Sequence, residues 1–153
     1  FGKTYHATGW KVAYCIAPTE LTSEFRKIHQ YVTFTTHTPS QWAIADFMQE
    51  CPEHYLELSN FYQRKRDWFL KEMSGSRFKM SPSQGSYFQL ADYSEISDKE
   101  DVEFANWLTQ EIGVAAIPIS VFYHSPPEQK IVRFCFAKDE KTLTAAATKL
   151  ASI

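Results

Sequence analysis

The chain has 153 residues, of which 44% are hydrophobic, 16% aromatic and 22% charged, with a formal net charge of -2 at pH 7. Such a length suits one domain or the end of a larger one, and the apolar content excludes a highly charged disordered chain. The slight acidity gives no footprint for nucleic acid or an anionic membrane, and no apolar run approaches a membrane span.

Phe1-Gly2-Lys3-Thr4-Tyr5-His6-Ala7-Thr8-Gly9-Trp10-Lys11 is too polar and too interrupted by glycine for a helix, and reads as a loop. Residues 12–17 are an apolar run of strand length that stops at Pro18, so the loop is expected to lead into a buried strand with Lys11 at its mouth. Residues 19–34 then predict a helix with Leu21, Phe25, Ile28 and Val32 along one stripe. A second helix is expected after Thr38, with Thr38 as N-cap, Pro39 at the first helical position and Gln41 at the third completing a capping box; Ile44, Phe47 and Met48 form its apolar face. After Cys51-Pro52, residues 53–73 predict one long helix with Leu58, Phe61, Tyr62 and Phe69 on one side, closed by Ser74-Gly75-Ser76.

The remainder reads as an α/β unit. Strands are expected at residues 78–80, 86–91, 114–119 and 131–136. Ser97 and Glu100 suggest a second capping box for a helix ending at Ile112, with Gly113 as its stop, and Asp139 suggests the cap of a last helix with Leu143, Ala146, Ala147 and Leu150 inward. Cys15, Cys51 and Cys135 are odd in number. Two of them lie in apolar runs, which predicts buried thiols in a reducing compartment, the cytoplasm by default, rather than a disulfide frame. The five histidines show no ligand spacing, so no metal site is expected.

Three cationic residues stand out. Gly2-Lys3-Thr4 matches the tail of a phosphate-binding loop, but that motif needs a helix starting at the lysine, and Thr8-Gly9 follow instead. Lys11 at a strand entrance is ordinarily a solvated group. Arg133 interrupts an apolar strand, and by alternation it shares a face with Ile131 and Cys135 while Val132, Phe134 and Phe136 face the other way. Its guanidinium then needs an anionic partner, either an internal Asp or Glu or a ligand carboxylate.

The segment FGKTYHATGWKVAY resembles the active-site lysine segment of class I pyridoxal-phosphate aminotransferases, and most resembles the branch of methionine, glutamine and kynurenine aminotransferases. The resemblance continues through Gly85-Ser86-Tyr87-Phe88, Ala116-Ile117-Pro118-Ile119-Ser120 and Val132-Arg133-Phe134-Cys135-Phe136-Ala137, and so covers essentially the whole chain. Ala13 departs from the family's frequent glycine. The resemblance implies the α/β architecture of fold-type I pyridoxal-phosphate-dependent transferases. Residues 1–55 would be the end of the large cofactor domain, and residues 56–153 a bridging helix and the small C-terminal α/β domain. The chain would then be the C-terminal part, under half, of a longer polypeptide.

The resemblance further implies that Lys3 is the Schiff-base lysine for pyridoxal 5′-phosphate, that Lys11 holds the cofactor phosphate and that Arg133 binds the substrate α-carboxylate. Substrates would be an amino acid and a 2-oxo acid. A carbon–sulfur β-lyase would use the same three residues, and a non-catalytic interaction module is the reading from another class. Tyr87, Phe88, Phe122, Tyr123 and Phe34 either line a substrate pocket or pack in a core or interface. The family's counterpart of residues 34–36 reaches a neighbouring subunit, which implies a homodimer.

Overall fold

Proline and glycine punctuate the helices of this chain, as the computed structural model of residues 1–153 makes plain. Pro18 immediately precedes α1 (Thr19–Val32), Pro39 lies in the first turn of α2 (Thr38–Glu50), and Pro52 opens the short α3 (Pro52–Leu56). Each proline sits where its missing N–H costs nothing. The chain divides into two compact units, Phe1–Leu58 and Ser59–Ile153.

In the first unit the loop of residues 1–7 runs into a 3₁₀ turn, Thr8–Trp10, and from there to α1. The expected strand at residues 12–17 is not formed. Val12 is buried, but Tyr14, Cys15 and Ile16 are exposed, and no strand of the chain pairs with the run. Strand propensity without a partner ladder does not make a strand. The apolar stripe of α1 is present as expected, yet Leu21, Phe25, Ile28 and Val32 are all exposed. In α2 only Ile44 of the expected apolar face is buried; Phe47 and Met48 are about 40% exposed. Its expected capping box is also replaced. The helix begins at Thr38, so His37 takes the cap position without bonding a backbone N–H. The His37 Nδ1 and Ser40 Oγ lie 2.7 Å apart, and Gln41 Nε2 donates to the Thr36 carbonyl at 2.8 Å. The long helix expected over residues 53–73 is two helices, broken at Glu57 between α3 and α4 (Leu58–Glu72).

The second unit is built on a three-stranded antiparallel sheet of order β1-β3-β2, with β1 at Phe88–Asp92, β2 at Ile117–Pro118 and β3 at Ile131–Cys135. Residues 78–80 contribute only one bridge, Lys79 to Asp92, and the expected strand at 114–119 shrinks to two residues. Along β3 the alternation is as read: Val132, Phe134 and the following Phe136 are buried, while Ile131, Arg133 and Cys135 are half-buried. The buried face packs with Phe69 of α4, Met73 of the 3₁₀ turn that follows it, Phe78, Tyr93, Phe104, Leu108, Leu143 and Leu150. Each such side chain contributes about 1.5–3 kcal/mol of apolar burial.

Two helices cover this core. α5 (Asp101–Trp107) continues through a wider π turn, Leu108–Ile112, and stops at Gly113, whose φ of 72° is the left-handed cap that glycine favours. The second expected capping box is not made. The helix starts at Asp101, three residues too late for Ser97, whose hydroxyl instead accepts from the Lys99 N–H at 3.2 Å. α6 (Glu140–Leu150) is capped as expected, with Asp139 Oδ1 accepting from the Thr142 N–H at 2.8 Å. All three cysteines are free thiols, and Cys15 is exposed, against the expectation that it is buried. No helix is long and apolar enough to cross a membrane.

Candidate active site

The loop bearing Lys3 is closed by its own backbone. The Gly2 carbonyl accepts from the Ala7 N–H at 2.9 Å and from the Thr8 hydroxyl at 3.0 Å, and the Tyr5 N–H donates to the Phe1 carbonyl at 2.9 Å. A Cβ at Gly2 would meet the Thr8 Cα at 3.0 Å, so any larger residue there would push the closure apart by a few tenths of an ångström. Lys3 projects from this turn exposed, with no ion pair. No helix starts at the lysine, which is what a phosphate-binding loop would require.

Lys11 follows the 3₁₀ turn in the left-handed region, φ 56° and ψ 40°. A non-glycine residue there costs on the order of 1–2 kcal/mol and bends the chain sharply. Lys3 and Lys11 therefore lie on one doubled-back loop of the first unit, both exposed and both without a carboxylate partner.

A contact from far along the chain holds this loop. His54 of α3 bonds the Thr4 carbonyl through Nε2 at 2.7 Å. A carbonyl can only accept, so this nitrogen carries the proton. The same ring stacks on Tyr5 at 5.5 Å between centroids and meets His6 and Phe47 edge-on at 5.6 and 5.4 Å. Nothing local in the sequence marks His54, because its partner lies fifty residues away.

In the second unit Arg133 occupies the middle strand, opposite Leu90 of β1 on one side and Ile117 of β2 on the other. Its guanidinium carbon sits 3.9 Å from the centroid of Phe88 and 5.1 Å from that of Phe122. No Asp or Glu lies within ion-pair distance, and its Nε is buried without a hydrogen-bond partner. Of the two partners open at the sequence level, the internal carboxylate is thus absent. The two ring contacts leave Nε without a hydrogen-bond partner, so the guanidinium still has an N–H group to offer a ligand. A planar anion is what a guanidinium's N–H edge fits.

The turn that carries Phe122 is tied to α5. Asp101, buried at the start of α5, accepts from the Ser120 N–H at 2.6 Å and the Ser120 hydroxyl at 2.7 Å. Ser120–Phe122 form a 3₁₀ turn. Burial pushes the Asp101 carboxyl up, but the hydrogen bonds from Ser120, Ile119 and Val102 outweigh it and hold the group below the usual carboxylate range. The sequence shows an acidic residue at a helix start, not its tie to Ser120.

Of the other aromatic candidates, Phe88 and Phe122 stack on Arg133, and Tyr87 packs between Phe88 and Tyr62 at 4.4 and 5.7 Å. Tyr123 is exposed beside Phe122, and Phe34 is an exposed residue of the first unit with φ 65°.

The family model for aminotransferase class I and II matches residues 1–150. The chain belongs to that family. It is 55% identical over 150 residues to methionine aminotransferase of Escherichia coli, a match that takes in 98% of this chain and 39% of the relative. It is 33% identical to human kynurenine–oxoglutarate transaminase 1, over 97% of this chain and 40% of the relative. Among solved structures, an Escherichia coli protein with a methionine aminotransferase function superposes with a TM-score of 0.93 at 54% identity, over all of this chain and 40% of the other. The N-succinyldiaminopimelate aminotransferase of Mycobacterium tuberculosis superposes with a TM-score of 0.86 at 31% identity, over 99% of this chain and 40% of the other. The fold is therefore the α/β fold of fold-type I aminotransferases over the stretch it spans, and this aminotransferase-family chain spans about 40% of the length of the relatives it matches.

Proposed function

We propose that this chain serves a pyridoxal 5′-phosphate-dependent aminotransferase that moves an amino group between an amino acid and a 2-oxo acid. Arg133 carries the reading. The guanidinium of a half-buried arginine contacts two rings, has an unpartnered Nε and has no internal carboxylate, which is the arrangement expected of an arginine kept for a ligand's carboxylate. The donor set of the first unit also fits the cofactor. Lys3 offers a primary amine on a glycine-closed turn, and Lys11 offers a point charge suited to a phosphate dianion.

When bound, pyridoxal 5′-phosphate supplies an electron sink for the carbanion at the substrate α-carbon. On this reading Lys3 would hold the cofactor through its primary amine, and the free Lys3 Nζ would carry the proton taken from the substrate Cα. Lys11 binds the phosphate, and Arg133 receives the α-carboxylate through two parallel hydrogen bonds. That fork orients the Cα–H bond and supplies positioning rather than charge chemistry.

Residues 1–55 are assigned to the end of the large cofactor domain and residues 56–153 to the bridging helix and small domain, a reading supported by the division of the chain at Leu58. The relatedness to methionine aminotransferase favours methionine among the donors, with kynurenine-type amino acids next. The exposed α1 stripe with Tyr31 and Phe34 supports a homodimer that covers it, and the three free thiols support a cytoplasmic location.

The test is a visible spectrum of the purified protein with added cofactor, before and after borohydride, followed by peptide mapping. A violet-region band lost on reduction, with a pyridoxyl-phosphate adduct on Lys3 and amino transfer from methionine to a 2-oxo acid, is the expected result. An adduct on other lysines only, or no transfer, overturns the reading.

A further inference from the structure

We infer that His54 is a positioning residue for Lys3, acting through the backbone of the lysine loop. The inference rests on the aminotransferase reading above. Its physical basis is the accounting of one carbonyl. Within the loop the carbonyls of Phe1, Gly2, Lys3 and Ala7 all accept from loop donors, but no backbone N–H reaches the carbonyl of Thr4. The His54 ring supplies that missing donor at 2.7 Å, so the residue next to Lys3 is bonded to α3 rather than to its own turn.

The ring is fixed on its other sides as well. Tyr5 stacks on it with the ring planes 28° apart, and His6 and Phe47 each meet it at 76°. Two successive loop residues, Tyr5 and His6, thus grip the group that bonds the residue before them. His54 is in turn placed by Pro52, which starts α3 within the turn that His54 occupies. The bond restricts the Thr4–Tyr5 peptide plane, which begins at the residue after Lys3, and so anchors the chain one residue from the Lys3 Cα and narrows the directions in which its side chain leaves the loop. A lysine with four rotatable side-chain bonds gains most from a fixed root, because the loss of backbone freedom is met by the fold before any ligand arrives. A ring that merely filled space would need no donor aimed at this carbonyl.

The test compares the full chain with His54→Gln, whose side-chain amide nitrogen reaches about as far as Nε2, and His54→Phe, which keeps a ring against Tyr5 and Phe47 but has no donor. His54→Leu repeats the donor loss should the Phe variant fail to fold. Two readouts are taken: hydrogen exchange of the Tyr5–Thr8 amides without cofactor, and the rate at which borohydride traps pyridoxal phosphate on Lys3. Loss of one half-buried hydrogen bond predicts up to about tenfold faster exchange and up to about tenfold slower trapping in His54→Phe, with both largely restored in His54→Gln. Unchanged exchange or trapping in His54→Phe overturns the inference, and so does a Gln variant as impaired as the Phe variant. No adduct on Lys3 in the unsubstituted chain overturns the aminotransferase reading and this inference with it, whereas an adduct formed equally fast in all variants sinks His54 alone.

Discussion

Asp101 and Ser120 are joined twice, backbone N–H to Oδ2 at 2.6 Å and hydroxyl to Oδ1 at 2.7 Å, across nineteen residues of chain. The pair locks the start of α5 to the turn that presents Phe122 to Arg133. Because the carboxyl is held below its ordinary range in the folded chain, its contribution to stability is fully present above the unfolded carboxyl's titration near pH ~4 and is lost as pH falls through the lower folded value. Asp101→Asn turns one acceptor into a donor facing Ser120 and should cost about 1–3 kcal/mol at pH 7. Urea unfolding at pH 7 and pH 3 should show the variant losing less stability on acidification than the parent. An equal loss in both would mean that other carboxylates account for the acid sensitivity.

Arg133 predicts a separation of stability from activity. Its buried Nε has no partner, a cost of about 1–3 kcal/mol, while each of the two ring contacts returns roughly 0.5–1 kcal/mol. Arg133→Met removes both and adds apolar area, so its unfolding free energy should stay within about 1 kcal/mol of the parent. Activity should behave otherwise. Losing a desolvated fork to a carboxylate costs about 2–5 kcal/mol, or roughly 30- to several-thousand-fold in kcat/KM for the amino acid. Arg133→Lys keeps the charge but not the fork or the stacking and should recover only a minor part of the loss. A large drop in stability for Arg133→Met would show that the guanidinium has an internal partner after all.

What the sequence disclosed and what it hid divide along one line. Arg133's face, the Asp139 cap and the Gly113 stop were readable because each depends on neighbours a few residues away: alternation along a strand, a side chain reaching the third N–H, a left-handed turn. The capping boxes expected at Thr38 and Ser97 matched their pattern but not their place. The helices begin elsewhere, at Thr38 itself and at Asp101, whose carboxylate is committed to Ser120. Residues 12–17 have the composition of a strand and no partner strand. Lys3, Lys11 and Arg133 stood out as candidates through their motifs, whereas His54 and Asp101 act on residues far along the chain and carry no local sign.

Gly113 allows the backbone and side-chain parts of a glycine requirement to be measured apart. A Cβ there meets the Lys149 Nζ at 2.9 Å, but that atom is the end of a flexible chain and can swing aside. The φ of 72° cannot be relieved so easily, so Gly113→Ala should cost about 1–2 kcal/mol. Combining it with Lys149→Ala should leave that cost unchanged within about 0.5 kcal/mol in a double-mutant cycle. A strong coupling would place the strain in the side-chain contact instead of the backbone.

The two glycines of the lysine loop look alike in the sequence and differ in the fold. Gly9 has open space where a Cβ would stand, whereas at Gly2 a Cβ would come within 3.0 Å of the Thr8 Cα, a backbone atom that cannot move without opening the turn. Gly9→Ala should therefore leave kcat/KM and the melting temperature near those of the parent. Gly2→Ala must stretch the bonds from Ala7 and Thr8 to the Gly2 carbonyl, displacing the root of Lys3. A displacement on the order of 1 Å at a reacting group costs about a hundredfold in rate, so the few tenths of an ångström that this contact demands should slow amino transfer roughly several-fold while the core of the second unit, remote in sequence from the loop, keeps its unfolding free energy. Parallel assays of the two variants decide it. Equal activities would show that the Gly2 closure does not govern where Lys3 stands.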